Sequence, residues 1–216
     1  MTSSAPLPEP TRVAVFAKAP VAGLVKTRLA PLLGNDGAAQ LHARLVMRAL
    51  ATAIEARLGD VELWCAPDER DPFFASCAER FSVRLCRQEG GNLGERMGYA
   101  FRRSLASGRP LLAIGSDCPA LTSRELRSAA EALVTHDAVV APAEDGGYVM
   151  VGLARSVPGI FDGIAWGTSS VMDETRRRLE SAGARWKLMP MLWDVDRPED
   201  YLRLQGAGLA LREVLS

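Results

Sequence analysis

The chain has 216 residues, 48% of them hydrophobic and 24% charged, the balance of a globular protein that fits one large domain and buries a full core without staples. Lysine plus arginine and aspartate plus glutamate stand at 26 each, so no net field favours nucleic acid or an anionic membrane. No apolar stretch is long enough to span a bilayer. Residues 1–10 lack the basic region and apolar core of a signal peptide and read as a disordered tail, with a single domain over 11–216. Cys65, Cys77, Cys86 and Cys118 show no metal-type pairing and read as reduced thiols of a cytoplasmic protein.

Strand and helix patterns alternate along the chain. Residues 12–17, rich in β-branched and aromatic side chains, read as a first strand. A long loop covers 18–33, and helical spacing follows over 38–58 through Leu41, Leu45, Leu50 and Ile54. A second strand over 61–65 ends at Pro67, a short helix spans 73–80 and a third strand 83–86. The glycine-rich loop 89–94 leads into a helix over 95–105. The apolar run 111–114 reads as a buried strand that stops abruptly at Gly115. A helix over 123–134 has Thr122 or Ser123 as its N-cap and Glu125 in its first turn. A strand over 138–141, a tight turn at 144–147 and a strand over 148–153 predict a hairpin rather than another βαβ unit. A helix over 169–182, a strand over 186–191 and a last helix with Pro198 in its first turn complete the chain. This alternation predicts one α/β domain with a mostly parallel central sheet, helices on both faces and a small antiparallel excursion.

Several segments carry candidate chemistry. Asp117, after Ser116, is the first charge beyond the 111–114 strand. Ligands in open α/β sheets sit beyond the carboxyl ends of strands, and a carboxylate there suits a divalent cation; the plain alternative is a turn aspartate bonded to its own backbone. The first loop offers Lys18, Lys26 and Arg28 with Gly23, a set suited to polyphosphate, or else a solvated basic loop. Its glycine and lysine spacing excludes a P-loop, and the dinucleotide fingerprint is absent. Asn92, Leu93, Gly94 and Arg96 open a helix whose amides suit an anion or a base edge, although Glu95 there also complements the helix dipole. Asp194 and Asp196 flank Val195, so an extended segment points both the same way and one can join Asp117 on a cation; the alternative makes Asp196 a helix cap. Asp145, followed by Gly146 and Gly147, is a candidate for catalysis or acceptor binding, or a turn former. Trp166 reads as core or as an acceptor contact. His42 and His136 have no neighbouring Cys or Ser in a recognisable arrangement, which argues against a hydrolase triad or a thiol protease.

In chain order, Phe16-Ala17-Lys18-Ala19-Pro20, Gly23 to Leu29, Leu93 to Met97, Gly115 to Leu121, Pro142 to Tyr148 and Asp194 to Asp200 resemble the blocks of the DUF2064 family. These are glycosyltransferase-like proteins of the nucleotide-diphospho-sugar transferase superfamily, also called selenium/radical-SAM-associated transferase 1. Arg197 departs from the threonine usual at its place, and Ser116 and Gly167 are milder departures. The resemblance implies a GT-A-like, Rossmann-type fold with a nucleotide-sugar or nucleotide site. Lys26 and Arg28 match its phosphate-handling loop, Asp117 its metal-binding acid and Asp196 its second acid, for Mg²⁺ or Mn²⁺. The candidate nucleotide and substrate contacts are then Ala17, Lys18, Gly23, Lys26, Arg28, Asn92, Leu93, Gly94, Arg96, Ser116, Gly146, Gly147 and Trp166.

The implied activity is metal-dependent glycosyl transfer from a nucleotide-diphospho-sugar to a small-molecule acceptor, with Asp145 and Lys26 as catalytic candidates. Similarity through Lys26-Thr27-Arg28-Leu29 also reaches nucleotidyltransferases such as phospholactate guanylyltransferase, which join a nucleoside triphosphate to a phosphorylated small molecule and release pyrophosphate. A non-catalytic nucleotide-binding module is a third reading. A homodimer stays open at this level.

Overall fold

The computed structural model describes residues 10–207, so the expected tail lies, but for Pro10, outside the described residues. Seven strands form one sheet in the order β3-β2-β1-β4-β6-β5-β7. They are β1 (Arg12–Lys18), β2 (Val61–Ala66), β3 (Arg84–Arg87), β4 (Leu111–Gly115), β5 (Ala138–Pro142), β6 (Tyr148–Leu153) and β7 (Trp186–Leu188). Neighbours run parallel except β6, which is antiparallel to both β4 and β5. The expected hairpin is therefore the one reversal in the sheet; its turn closes where the Ala143 N–H donates to the Gly147 carbonyl at 3.0 Å. Near-continuous burial of β1, β4, β5 and β6 explains their unbroken apolar runs, because helices cover both faces of a parallel sheet.

Side chains alternate between those faces. Val13 and Val15 of β1 pack with Val46 and Leu50 of α1 (Ala30–Ala56) and Leu126 of α4 (Ser123–Leu133); Phe74 of α2 (Pro72–Phe81) joins them. Ala14 and Trp64 face the other way, toward Phe101 of α3 (Leu93–Leu105) and Leu179 of α5 (Val171–Ser181). Thr122 caps α4 in a reciprocal box with Glu125, as expected. A third, smaller cluster joins Leu29, Leu41 and Leu45 to Trp193, Val195 and Leu204 of α6 (Pro198–Gly206). This cluster matters most for the site, because it pins the end of the described chain beside its beginning.

Two boundaries differ from expectation. The first loop is shorter: a 3-10 turn, Thr27–Leu29, runs into α1 at Ala30. Pro31 is tolerated in the first turn, and Gly34, at φ +70°, kinks the helix there; together they disguise its start in the sequence. Strand β7 stops at Leu188 because Pro190 cannot donate to a ladder; a single bridge, Ala143 to Leu192, follows. Among the described residues no helix is long and apolar enough to cross a membrane.

Candidate active site

From β1 the chain passes through α1 to β2 on one side, while β4 pairs with β1 on the other. At such a switch point the carboxyl ends of neighbouring strands part. A cleft of about 720 Å³ opens there, with Ala17, Lys18, Lys26, Arg28, Ser116 and Asp117 among its walls. The three distant stretches expected to meet do so. The Val195 N–H donates to the Asp117 carbonyl at 2.9 Å, and Lys26 Nζ donates to the Val195 carbonyl at 2.6 Å.

Lys26 Nζ also lies 2.7 Å from Asp117 Oδ2, with only 4% of the lysine side chain exposed. Its backbone sits in the left-handed region, φ +48°, where a non-glycine residue is strained; that turn aims the side chain inward. Asp117 remains accessible, with 40% of its side chain exposed. Burial works to raise its carboxyl, but Lys26 and then His42 hold it well below the usual carboxylate range. Ser116 Oγ donates to Asp117 Oδ1 at 3.2 Å. Arg28 pairs with Asp196, so each expected phosphate cation rests against an expected metal acid.

A smaller cavity of about 270 Å³ adjoins, sharing Arg28 and Asp196 and adding Asp145, Asp194, Arg197, Thr168 and Ser169. Burial, and next to it the Asp145 charge, push the Asp194 carboxyl up to about 6. Asp145 Oδ1 accepts from the Gly147 N–H at 2.9 Å, so the carboxylate shapes its own turn while facing this cavity. Glu144 is taken up by Arg203 at 2.8 Å. Arg197 needs no hydroxyl to cap α6, because Asp200 Oδ2 accepts from the Asp196 and Arg197 amides at 3.0 and 2.7 Å.

Other expected contacts divide. Asn92, Leu93 and Arg96 line the large cleft, and several amides beside them already have partners. Glu95 accepts from the Gly91 N–H at 2.8 Å, and Asn92 Oδ1 from the Glu95 N–H at 3.0 Å. Gly94 and Trp166 meet each other instead: a Cβ on Gly94 would come within 2.7 Å of Trp166 Nε1, and Trp166 stands edge-on to Tyr148. Gly23 forms a turn closed by the Leu24 N–H and the Val21 carbonyl at 3.0 Å, beside the cleft wall. Gly146 packs on Ser169, which seats the 167–169 loop on the smaller cavity.

Two further residues line the cleft without a sequence motif that signals that place. His42 reaches Asp117 from α1, a contact no local spacing signals. Gln88 is locked by donating to the Ala17 and Trp64 carbonyls at 3.2 and 2.8 Å, which leaves its side-chain oxygen as an acceptor at the cleft. Its place at a strand end, just before the glycine loop, was the available signal.

Asp117 and Asp196 offer carboxylate oxygens to the larger cleft, the kind of donor a hard divalent cation takes, while Asp194 lines only the smaller cavity; the buried His42 Nδ1, near Asp117, makes no hydrogen bond. No group of three or more such side chains among the described residues is close enough to hold an ion alone.

A family model described as an uncharacterized protein conserved in bacteria, DUF2064, matches residues 49–168. A 3-phospho-D-glycerate guanylyltransferase of Phenylobacterium zucineum (strain HLK1) is 29% identical over 199 residues, covering 88% of this chain and 89% of the relative. A crystal structure from Desulfovibrio desulfuricans G20, described as a candidate nucleotide-diphospho-sugar transferase, superposes with a TM-score of 0.83 at 28% identity, covering 95% of this chain and 93% of that one. A nucleotidyl transferase of Methanothermobacter shares the fold at 18% identity, with a TM-score of 0.61 over 91% of this chain and 97% of that one.

Proposed function

The chain belongs to the DUF2064 family, and we propose nucleotidyl transfer as its activity: a nucleoside monophosphate moves from a nucleoside triphosphate to the phosphate of a small phosphorylated acceptor, a reading supported by the guanylyltransferase relative. One observation carries the polyphosphate site on which this reading stands. On the cleft floor Lys26 is paired with Asp117 and Arg28 with Asp196, two cations and two acids waiting for a triphosphate and its counter-ion. The guanylyltransferase relative supports GTP and 3-phospho-D-glycerate as the first pair to test.

An acceptor phosphate oxygen attacks the α-phosphorus, the bond from that phosphorus to the oxygen bridging the β-phosphorus breaks, and pyrophosphate leaves. A phosphate nucleophile is already ionised, so no protein base is required. Lys26 and Arg28 turn to the phosphate oxygens, where negative charge gathers as the bond breaks. Mg²⁺ or Mn²⁺, held by Asp117 with Asp196, would offset the same charge. Lys18, Asn92, Leu93 and Arg96 of the large cleft serve the nucleotide, and the smaller cavity, with Asp145, Arg197 and the 167–169 loop, serves the acceptor.

Glycosyl transfer is the second reading, favoured by the Desulfovibrio structure. It would use the same cations on a leaving diphosphate, with Asp145 taking the acceptor proton. The test is a panel of nucleoside triphosphates with 3-phospho-D-glycerate or phospholactate, and of nucleotide sugars, each with Mg²⁺ or Mn²⁺. Pyrophosphate with a nucleotide-bearing product supports nucleotidyl transfer. Nucleoside diphosphate released from a nucleotide sugar supports glycosyl transfer, and binding without product supports a non-catalytic module.

A further inference from the structure

Among the described residues, two cationic side chains line the smaller cavity, Arg28 and Arg197. Arg28 is paired with Asp196 and turns to the triphosphate in the proposed reaction. Arg197 is exposed, and among the described residues its guanidinium makes no ion pair and no hydrogen bond. Threonine, usual at this place in the family blocks, carries no charge, so the cation is a feature of this chain. The hydroxyls of the cavity divide in the same way. Thr168 Oγ1 donates to the Ala165 carbonyl at 2.8 Å, whereas the Ser169 hydroxyl makes no hydrogen bond among the described residues.

The rest of the lining is acidic: Glu144, Asp145, Asp194, Asp196 and Asp200. A cavity lined by one sign of charge repels an anion of that sign unless a cation receives it. The two cavities meet at Arg28 and Asp196, so an acceptor whose phosphate reaches the triphosphate there extends its other end into the smaller one. The open donors it finds are Arg197, whose planar fork of N–H groups matches a carboxylate in two parallel bonds, and the Ser169 hydroxyl. We propose that Arg197, with Ser169, is the specificity determinant of the acceptor site: it takes a carboxylate at the far end of the acceptor and so selects phosphorylated acids over phosphorylated alcohols. The inference rests on the reading of the smaller cavity as the acceptor's.

Two probes of the same length isolate the carboxylate: 3-phospho-D-glycerate, and glycerol 3-phosphate, which has a hydroxymethyl group in its place. Binding of each to the full chain is followed by calorimetry, with and without a GTP analogue whose α- and β-phosphates are joined by methylene. Wild type is expected to bind the acid roughly 10-fold or more tightly than the alcohol, the scale of a charge-assisted hydrogen bond. Arg197→Met and Arg197→Thr lose that preference by weakening the acid alone, with thermal melts unchanged because the side chain has no partner to lose. Arg197→Lys keeps part of it, since charge remains without the fork, and Ser169→Ala weakens the acid by a smaller factor. A wild type without the preference, a preference kept in Arg197→Met, or equal weakening of both probes would overturn the proposal. Selective binding of the acid with no pyrophosphate released from any nucleoside triphosphate would remove nucleotidyl transfer and leave the Arg197 site standing.

Discussion

Replacing Asp117 with alanine takes away the carboxylate that Lys26, Ser116 and His42 surround, and leaves the buried Lys26 ammonium with only the Val195 carbonyl. A preorganised charge contact of this kind is worth on the order of 100-fold or more in rate. Asp117→Ala and Lys26→Met are each expected to lower kcat by about that factor in the product assay. Asp194 carries a prediction of opposite character. Its carboxyl ionises at 3.8 in the unfolded chain and at about 6 when folded, so the folded protein binds the extra proton between those values. The ionised form is therefore penalised as pH rises. Asp194→Asn should melt with wild type below pH about 4 and increasingly above it up to pH about 6, with a constant gain beyond. Melts at several pH values check this, and a flat difference would contradict it. Asp117 was legible at this scale because one acid follows one apolar run. His42 was not, because its partners lie on β1 and beyond β4, and only the packing of α1 brings them within reach.

At the scale of elements, the turn between β5 and β6 holds the most constrained position near the site. Gly146 sits at φ +89°, and a Cβ there would lie 2.3 Å from the Ser169 carbonyl oxygen. Gly146→Ala must strain the backbone and push the 167–169 loop from the smaller cavity, at a cost of about 1–3 kcal/mol. A denaturant midpoint reads the stability loss, and a raised KM for the acceptor reads the displaced loop. Gly206→Ala, in α6 with nothing within 4 Å of its Cβ, is the control and should be neutral or slightly stabilising. Elements with a clean pattern were legible: the buried strands, the Thr122 box and the hairpin all follow from residue type and spacing. The start of α1 was not, because Pro31 and Gly34 carry the signs of a loop while the helix absorbs both. The shortened β7 shows the reverse error, an apolar run continued past a proline that ends it.

Across the whole molecule, one small cluster decides whether a site exists. Leu29 and Leu41 packed on Trp193 and Val195 place the basic loop beside the segment 194–196, and the Val195 backbone then joins Lys26 to Asp117. Alternation alone predicts the layered sheet, but only the tertiary contact of these apolar residues closes the cleft. A second network, around Asp137, lies at the opposite end of β5. Asp137 is held below the usual carboxylate range chiefly by Arg155, and it also accepts from the Arg185 amide at 2.7 Å. A lowered folded value gives stability above pH about 4 that is lost as pH falls further. Asp137→Asn should therefore melt below wild type at neutral pH, and the gap should close in acid. A crystal structure of the full chain with GTP and Mn²⁺ tests the proposed nucleotide site in one step. Phosphate oxygens are expected on Lys26 and Arg28 and the ion on Asp117, between the ends of β1 and β4. A nucleotide bound elsewhere, for instance along the groove between α3 and residues 154–162, with Lys26 still locked on Asp117, would contradict it.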